Sequence, residues 1–138
     1  MLRLAACLGV RLHVIHPTGF PFSLHAIRRS AMDYAEHVEV TEHDSFGHFA
    51  AWRESAGCRL VLLTTKASTS AYAAAYRSDD ILLVGRESAG VPDAVAATAD
   101  LRIRIPMRPG LRSLNVAMAA SLVLGEALRQ TGGLAGLE

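Results

Sequence analysis

Two stretches of this chain combine residue types that can hold a small ligand and act on it. One is Gly85-Arg86-Glu87-Ser88-Ala89-Gly90-Val91-Pro92, which directly follows the apolar run Ile81–Val84. The other runs from Ile103 to Asn115, IRIPMRPGLRSLN, and opens into a long apolar segment. Glycine at 85 lets the backbone approach a ligand or adopt a positive φ, and Gly90 with Pro92 shapes the return. Pro106 and Pro109 stiffen the second loop, while Gly110 permits a sharp turn. Ser113 can accept from the free N–H groups at a helix start, with Asn115 in the first turn. That terminus carries a partial positive charge. Such loops at strand ends are where open α/β sheets hold small ligands. Taken alone, each stretch also fits a blander description: an ordinary βα turn with a solvated Glu87, and a plain capped helix.

Other chemistries find little support. There is no Walker A sequence, no GxGxxG after a strand and no GxSxG, which argues against a P-loop NTPase, a dinucleotide dehydrogenase and a nucleophile-elbow hydrolase. His13 and His16 straddle a strand end, and His43 and His48 are five apart, off a common helical face. No metal is expected from that arrangement. Cys7 and Cys58 sit among apolar residues outside any CxxC and read as buried, reduced thiols.

The elements that must position the two loops alternate along the chain. Met1–Leu8 has a helical pattern ending at Gly9. Arg11–Ile15 reads as a strand, residues 16–23 as a Pro/Gly loop, Leu24–Ala31 as a short helix with paired arginines and Val38–Val40 as a short strand. Asp44 or Ser45 caps a helix to about Ser55. Arg59–Thr64 and Ile81–Val84 are buried strands, and Tyr72–Tyr76 is ambiguous. Pro92–Ala97 starts a helix, Leu101–Ile105 is a strand, and Ser113 caps a last helix to about Gln130. This alternation predicts a parallel sheet with helices on both faces. Leu114, Met118, Leu122 and Leu128 form an apolar stripe on the last helix, suited to a core or a subunit interface.

The chain has 138 residues, enough for a single domain spanning 1–138. Hydrophobic residues make up 51% and charged residues 20%, a globular balance. The net charge of +1 excludes a protein coated in basic residues. Arg28 and Arg29 are nevertheless adjacent, and Arg102, Arg104, Arg108 and Arg112 crowd one segment, so local patches can serve RNA. No apolar run approaches the ~20 residues of a membrane span, and no leader pattern is present. The expectation is a soluble, cytoplasmic protein.

Together these pieces resemble the SPOUT superfamily of RNA methyltransferases, the α/β-knot enzymes. Within it they resemble the branch that 2′-O-methylates the ribose of the tRNA wobble nucleotide, cytidine or uridine 34. The G-x-E-x-x-G-[LV]-P pattern falls on Gly85–Pro92. Arg104-Ile105-Pro106-Met107 and Ser113-Leu114-Asn115 match the later motifs. Leu2-Arg3-Leu4, Arg11-Leu12-His13, Pro17-Thr18-Gly19-Phe20, Arg28-Arg29 with Met32-Asp33-Tyr34, and Leu63-Thr64-Thr65-Lys66 fall in the family's order. The likeness covers essentially the whole chain. It implies a deep C-terminal trefoil knot, which sequence physics alone would never propose.

The resemblance further implies S-adenosylmethionine as cofactor, gripped at Leu63, Gly85, Ile105 and Ser113, with glycine at 85 leaving space for it. The methyl acceptor would be a tRNA ribose 2′-oxygen. Relatives often give its proton to the arginine matching Arg3. Guanidinium is a very weak base, so orienting the hydroxyl or stabilising developing charge suits Arg3 better. Ser113 and Asn115 would orient the ribose or Arg3, and Arg28 and Arg29 would meet tRNA phosphates. A homodimer through the last helix is implied, with Arg3 of one subunit serving its partner's site. Two departures stand out. An Asn-x-Gly-Asn loop and the strand before it are missing ahead of Leu2-Arg3, so an upstream strand of about 5–6 residues with its loop is expected. Val116-Ala117-Met118 also replaces small polar residues. Two other readings compete: a non-catalytic RNA- or cofactor-binding module, and an unknotted doubly wound nucleotide-binding enzyme.

Overall fold

The computed structural model of the protein describes residues 1–18, 33–86 and 90–138. The chain divides into two compact units, Met1–Ser55 and Ala56–Gly136, with Leu137 grouped with the first and Glu138 with the second. The helix expected at Leu24–Ala31, with Arg28 and Arg29, lies outside the described residues, as does Glu87.

In the first unit, α1 (Leu2–Leu8) ends at Gly9, and no side chain caps its start at Met1. Cys7, near the end of α1, is exposed rather than buried as expected, and Cys58 is only half-buried. β1 (Leu12–Ile15) pairs in parallel with β2 (Val40–His43), Leu12 opposite Val40 and Ile15 opposite His43. The strand expected at Val38–Val40 therefore lies further along. The ladder draws in Thr41, Glu42 and His43, polar residues that an apolar pattern discounts. Between them, α2 (Asp33–Glu36) packs on α1. α3 (Phe46–Ala56) starts after Ser45, whose Oγ accepts from the His48 N–H at 3.1 Å. Phe49 of α3 is buried beside the rings of His13, His43 and Trp52.

His13 Nδ1 lies 3.0 Å from His43 Nε2, and the two rings stack. Burial is the main cause that lowers the pKa of both imidazoles. The neighbouring His43 and Arg11 push His13 the same way against Glu39, and His48 does so for His43.

The second unit is a four-stranded, all-parallel sheet. Its strands are β3 (Leu60–Leu63), β4 (Thr69–Ser70), β5 (Ile81–Leu83) and β6 (Leu101–Arg104), in the order β4-β6-β3-β5. β3 is the most apolar run and is flanked on both sides; Leu60, Val61 and Leu62 are fully buried, as befits a strand inside a parallel sheet. The ambiguous Tyr72–Tyr76 stretch is a turn. It follows β4, a two-residue edge strand too short for a sequence pattern, and the Tyr76 hydroxyl donates to the Ala71 carbonyl. Burial pushes the Tyr76 phenol up to about 12.

α4 (Asp93–Ala96) and α5 (Val116–Thr131) complete the unit. Val123 of α5 joins Val61, Ile103, Ile105 and Tyr76 in the core, with Ala119 and Ala127 packed against it. Gln130 ties the end of α5 to the turn, accepting from the Tyr76 N–H and donating to the Ala74 carbonyl, both at 3.0 Å. At the base of the sheet, Arg59 grips Asp80 through two 2.7 Å bonds, with the Asp80 side chain only 3% exposed. Because that carboxylate also accepts the Arg77 N–H, it fixes the approach to β5.

The cap of the last helix corrects the sequence expectation. Asn115, not Ser113, is the N-cap: its Oδ1 accepts from the N–H groups of Ala117 at 2.9 Å and Met118 at 3.4 Å. Ser113 stands two residues earlier, in the loop. Either residue type suits the position; the length of loop after Pro109 selects Asn115.

Candidate functional site

The ends of β3, β5 and β6 and the loops that follow them line an open cleft of about 1150 Å³ in the second unit. Parallel strands all end at the same edge of their sheet, so three loops converge there whatever their sequence. β3 delivers Leu63 and the Thr64-Thr65-Lys66 turn, β5 delivers Val84 and Gly85, and β6 delivers Ile105 and Met107. Ser113, Leu114 and Asn115 line the same space from the entry to α5.

The Gly85 loop is closed by its own backbone. The Arg86 N–H donates to the Gly90 carbonyl at 3.3 Å, and the Gly90 N–H donates to the Arg86 carbonyl at 2.8 Å. Gly90 takes φ +65°, a left-handed value that side chains resist. Gly85 has a further reason to lack a side chain. A Cβ there would lie 2.5 Å from the Gly90 carbonyl carbon and 2.7 Å from Val91 Cγ2. The close neighbour is thus the returning loop itself, not only space left for a ligand.

Among the described lining residues, Lys66, Arg86, Arg102 and Arg112 are basic and only Asp93 and Asp100 are acidic. The Asp100 carboxylate already accepts the Leu60 N–H at 2.7 Å. The wall therefore favours an anion. The sequence offered Arg102 and Arg112 as part of a basic patch able to serve RNA, and Lys66 within a family motif, but assigned none of the four to the ligand site. The crowding of arginine between 102 and 112 was the available signal.

Of the sequence-predicted site residues, Leu63, Gly85, Ile105, Ser113 and Asn115 line this one cavity. Arg3 belongs to the first unit, on α1, where its guanidinium carbon lies 4.6 Å from the centre of the Tyr34 ring. Arg28 and Arg29 lie outside the described residues. Among the described residues, no group of three or more His, Cys, Asp or Glu could hold a metal ion. No described helix is long and apolar enough to cross a membrane.

Residues 1–125 match the SpoU rRNA Methylase family. A tRNA (cytidine(34)-2′-O)-methyltransferase of Beijerinckia indica is 59% identical over 135 residues, covering 98% of this chain and 84% of that protein. This chain belongs to the SpoU family. The Escherichia coli K12 protein of the same description is 40% identical over 134 residues, covering 96% of this chain and 84% of its own length.

Solved SpoU-type structures share the parallel-sheet α/β fold. One, on the 2-OH methylation of C/U34 on tRNA, superposes with a TM-score of 0.84 at 40% identity, covering 94% of this chain and 84% of that one. An AdoMet-bound rRNA methyltransferase from Sinorhizobium meliloti gives 0.80 at 30% identity, over 93% of this chain and 49% of that one. The SpoU match runs through both compact units.

Proposed function

We propose that the protein is a tRNA methyltransferase that modifies the ribose 2′-oxygen of the wobble nucleotide, cytidine or uridine 34, with S-adenosylmethionine as cofactor. The observation that carries this reading is the 59% identity, across nearly the whole chain, to a relative described by that activity. Residues 1–138 act as one methyltransferase domain, supported by a family match that crosses both units. Its C-terminal segment forms the trefoil knot that the family resemblance implies, and helices cover both faces of the sheet.

The cavity suits the cofactor. Its volume exceeds the ~300–1,000 Å³ of ordinary ligand pockets, leaving room for a nucleotide beside it. Leu63, Gly85, Ile105 and Ser113 would hold the cofactor, with the apolar side chains of Val91, Met107 and Leu114 close by. When bound, S-adenosylmethionine supplies an electrophilic methyl group, transferred to the ribose oxygen as its bond to sulfur breaks, leaving S-adenosylhomocysteine.

The residues of this chain have the task of alignment, which alone supplies much of the rate of a displacement. Ser113 and Asn115 orient the ribose. Arg3 orients the 2′-hydroxyl and stabilises the charge that develops as its proton leaves for solvent or a nearby base. Arg28 and Arg29 take tRNA phosphates, and the basic wall from Lys66 to Arg112 favours the same polyanion. The enzyme works in the cytoplasm as a homodimer. Support for the dimer comes from Leu114, Met118 and Leu122, all at least 40% exposed along α5 and its entry.

The decisive experiment incubates the protein with tRNA and methyl-labelled S-adenosylmethionine, then locates the label by nuclease digestion and mass spectrometry. Label on the ribose of nucleotide 34 is expected. Methylation confined to a base or to ribosomal RNA would refute the reading.

A further inference from the structure

We propose that Tyr34 is a positioning residue for Arg3: its ring carries the guanidinium and fixes the direction in which its N–H groups point. This rests on the proposed function and extends it to a residue with no role in that reading. Arg3 sits in the first turn of α1, and Tyr34 sits on α2, which packs against α1. The Arg3 Cζ lies 4.6 Å from the centre of the Tyr34 ring, inside the ~6 Å at which a cation is attracted to an aromatic face. Both side chains are exposed, so neither burial nor a close-packed wall holds the arginine.

Arginine is a long side chain with many rotamers, and an unsupported one spreads over them. Stacking on a ring selects one arrangement. A guanidinium held by its face also keeps its N–H edge for hydrogen bonds, here toward a ribose oxygen. Among the described residues no carboxylate pairs with Arg3. An aromatic partner holds the cation without cancelling its charge, which a group meant to stabilise a developing oxyanion requires.

The test compares the full chain with Tyr34→Phe and Tyr34→Leu, with Tyr34→Gln as a second ring-less variant should the leucine form not fold. Methyl transfer to tRNA and cofactor binding are measured separately. The ring-less variant should lower kcat about two- to five-fold, the size of an exposed cation–π contact, with KM for tRNA and cofactor affinity unchanged. Tyr34→Phe should restore the rate, because the ring face and not the hydroxyl is used. In an Arg3→Ala background, removing the ring should have no further effect.

An independent readout is the proton NMR shift of the Arg3 Cδ methylene. The ring should move it upfield in the native and phenylalanine proteins but not in the ring-less one. Absence of that shift from the native protein overturns the proposal whatever the activity. So does an active native enzyme whose ring-less variant keeps full kcat, or a phenylalanine variant as slow as the ring-less one. A native protein with the shift but no wobble methylation instead overturns the proposed function, and the positioning role with it.

Discussion

One added methyl group at position 85 separates two reasons for a glycine. Its Cβ would strike the Gly90 carbonyl carbon at 2.5 Å, so the turn from Arg86 to Gly90 would have to open. Gly85→Ala should weaken S-adenosylmethionine binding roughly tenfold or more, about 1.4 kcal/mol, and lower the melting temperature because backbone must move to admit the methyl group. Faster hydrogen exchange at the Gly90 amide should accompany it, since that N–H bonds to Arg86 across the turn. Unaltered cofactor affinity by calorimetry would contradict this.

Asn115 carries a similar ambiguity, because it both caps α5 and lines the cavity. Asn115→Ala should cost about 1 kcal/mol of stability and slow methyl transfer. Asn115→Asp keeps a capping oxygen, so stability should return while the rate stays low. A rate that recovers with stability would leave Asn115 as a cap alone.

At the scale of elements, the His13–His43 contact joins β1 to β2 and sets a pH dependence. One ring must donate and the other accept, so the 3.0 Å bond needs at least one neutral imidazole. Each histidine has a folded-state pKa below its ordinary 6.5 and so binds fewer protons folded than unfolded. Stability from this pair is therefore full above about pH 6.5 and is lost as the pH falls below it. Thermal melts from pH 8 to pH 5 should show a falling melting temperature, with a shallower slope in His13→Phe. A melting temperature that rises on acidification would show that the pair does not govern the dependence.

These elements were unequally legible. β3, β5 and α5 announce themselves as apolar runs, and β6 as an alternation of apolar residues with arginine. β2 does not, because three of its four residues, Thr41, Glu42 and His43, are polar and its register comes from β1. β4 is two residues long and exists because Ile103 and Arg104 offer it a free edge.

At the scale of the whole molecule, the apolar stripe expected at Leu114, Met118, Leu122 and Leu128 does not supply the core. Val123, Ala119 and Ala127 face the core instead, while Met118 at 63% and Leu122 at 45% exposure face away from it and Leu128 is half-buried. An apolar face left outside a finished core is the mark of an interface. In the proposed homodimer, Met118→Glu with Leu122→Glu should yield a monomer by light scattering, at native secondary-structure content, because neither residue belongs to the core. A native protein already monomeric at micromolar concentration would remove the basis for this.

The sequence by itself determined the family, the parallel α/β class and the two loops. Those depend on residue type and local order: apolar strands, glycine and proline at their ends, and several motifs in series. It also brought Leu63, Gly85, Ile105, Ser113 and Asn115 forward as site candidates. Only the tertiary structure decided what each does locally. Asn115 rather than Ser113 caps α5, because the cap goes to whichever residue the loop length sets before the first helical turn. Gly85 is required by the backbone of Gly90, a contact five residues along that depends on how the loop folds back. Arg102 of β6, Arg112 of the loop before α5 and Lys66 after β3 line one cavity because the sheet sets β6 beside β3, which bare spacing does not express. The ring beneath Arg3 comes from a helix 31 residues later in the sequence, through packing that no local pattern encodes.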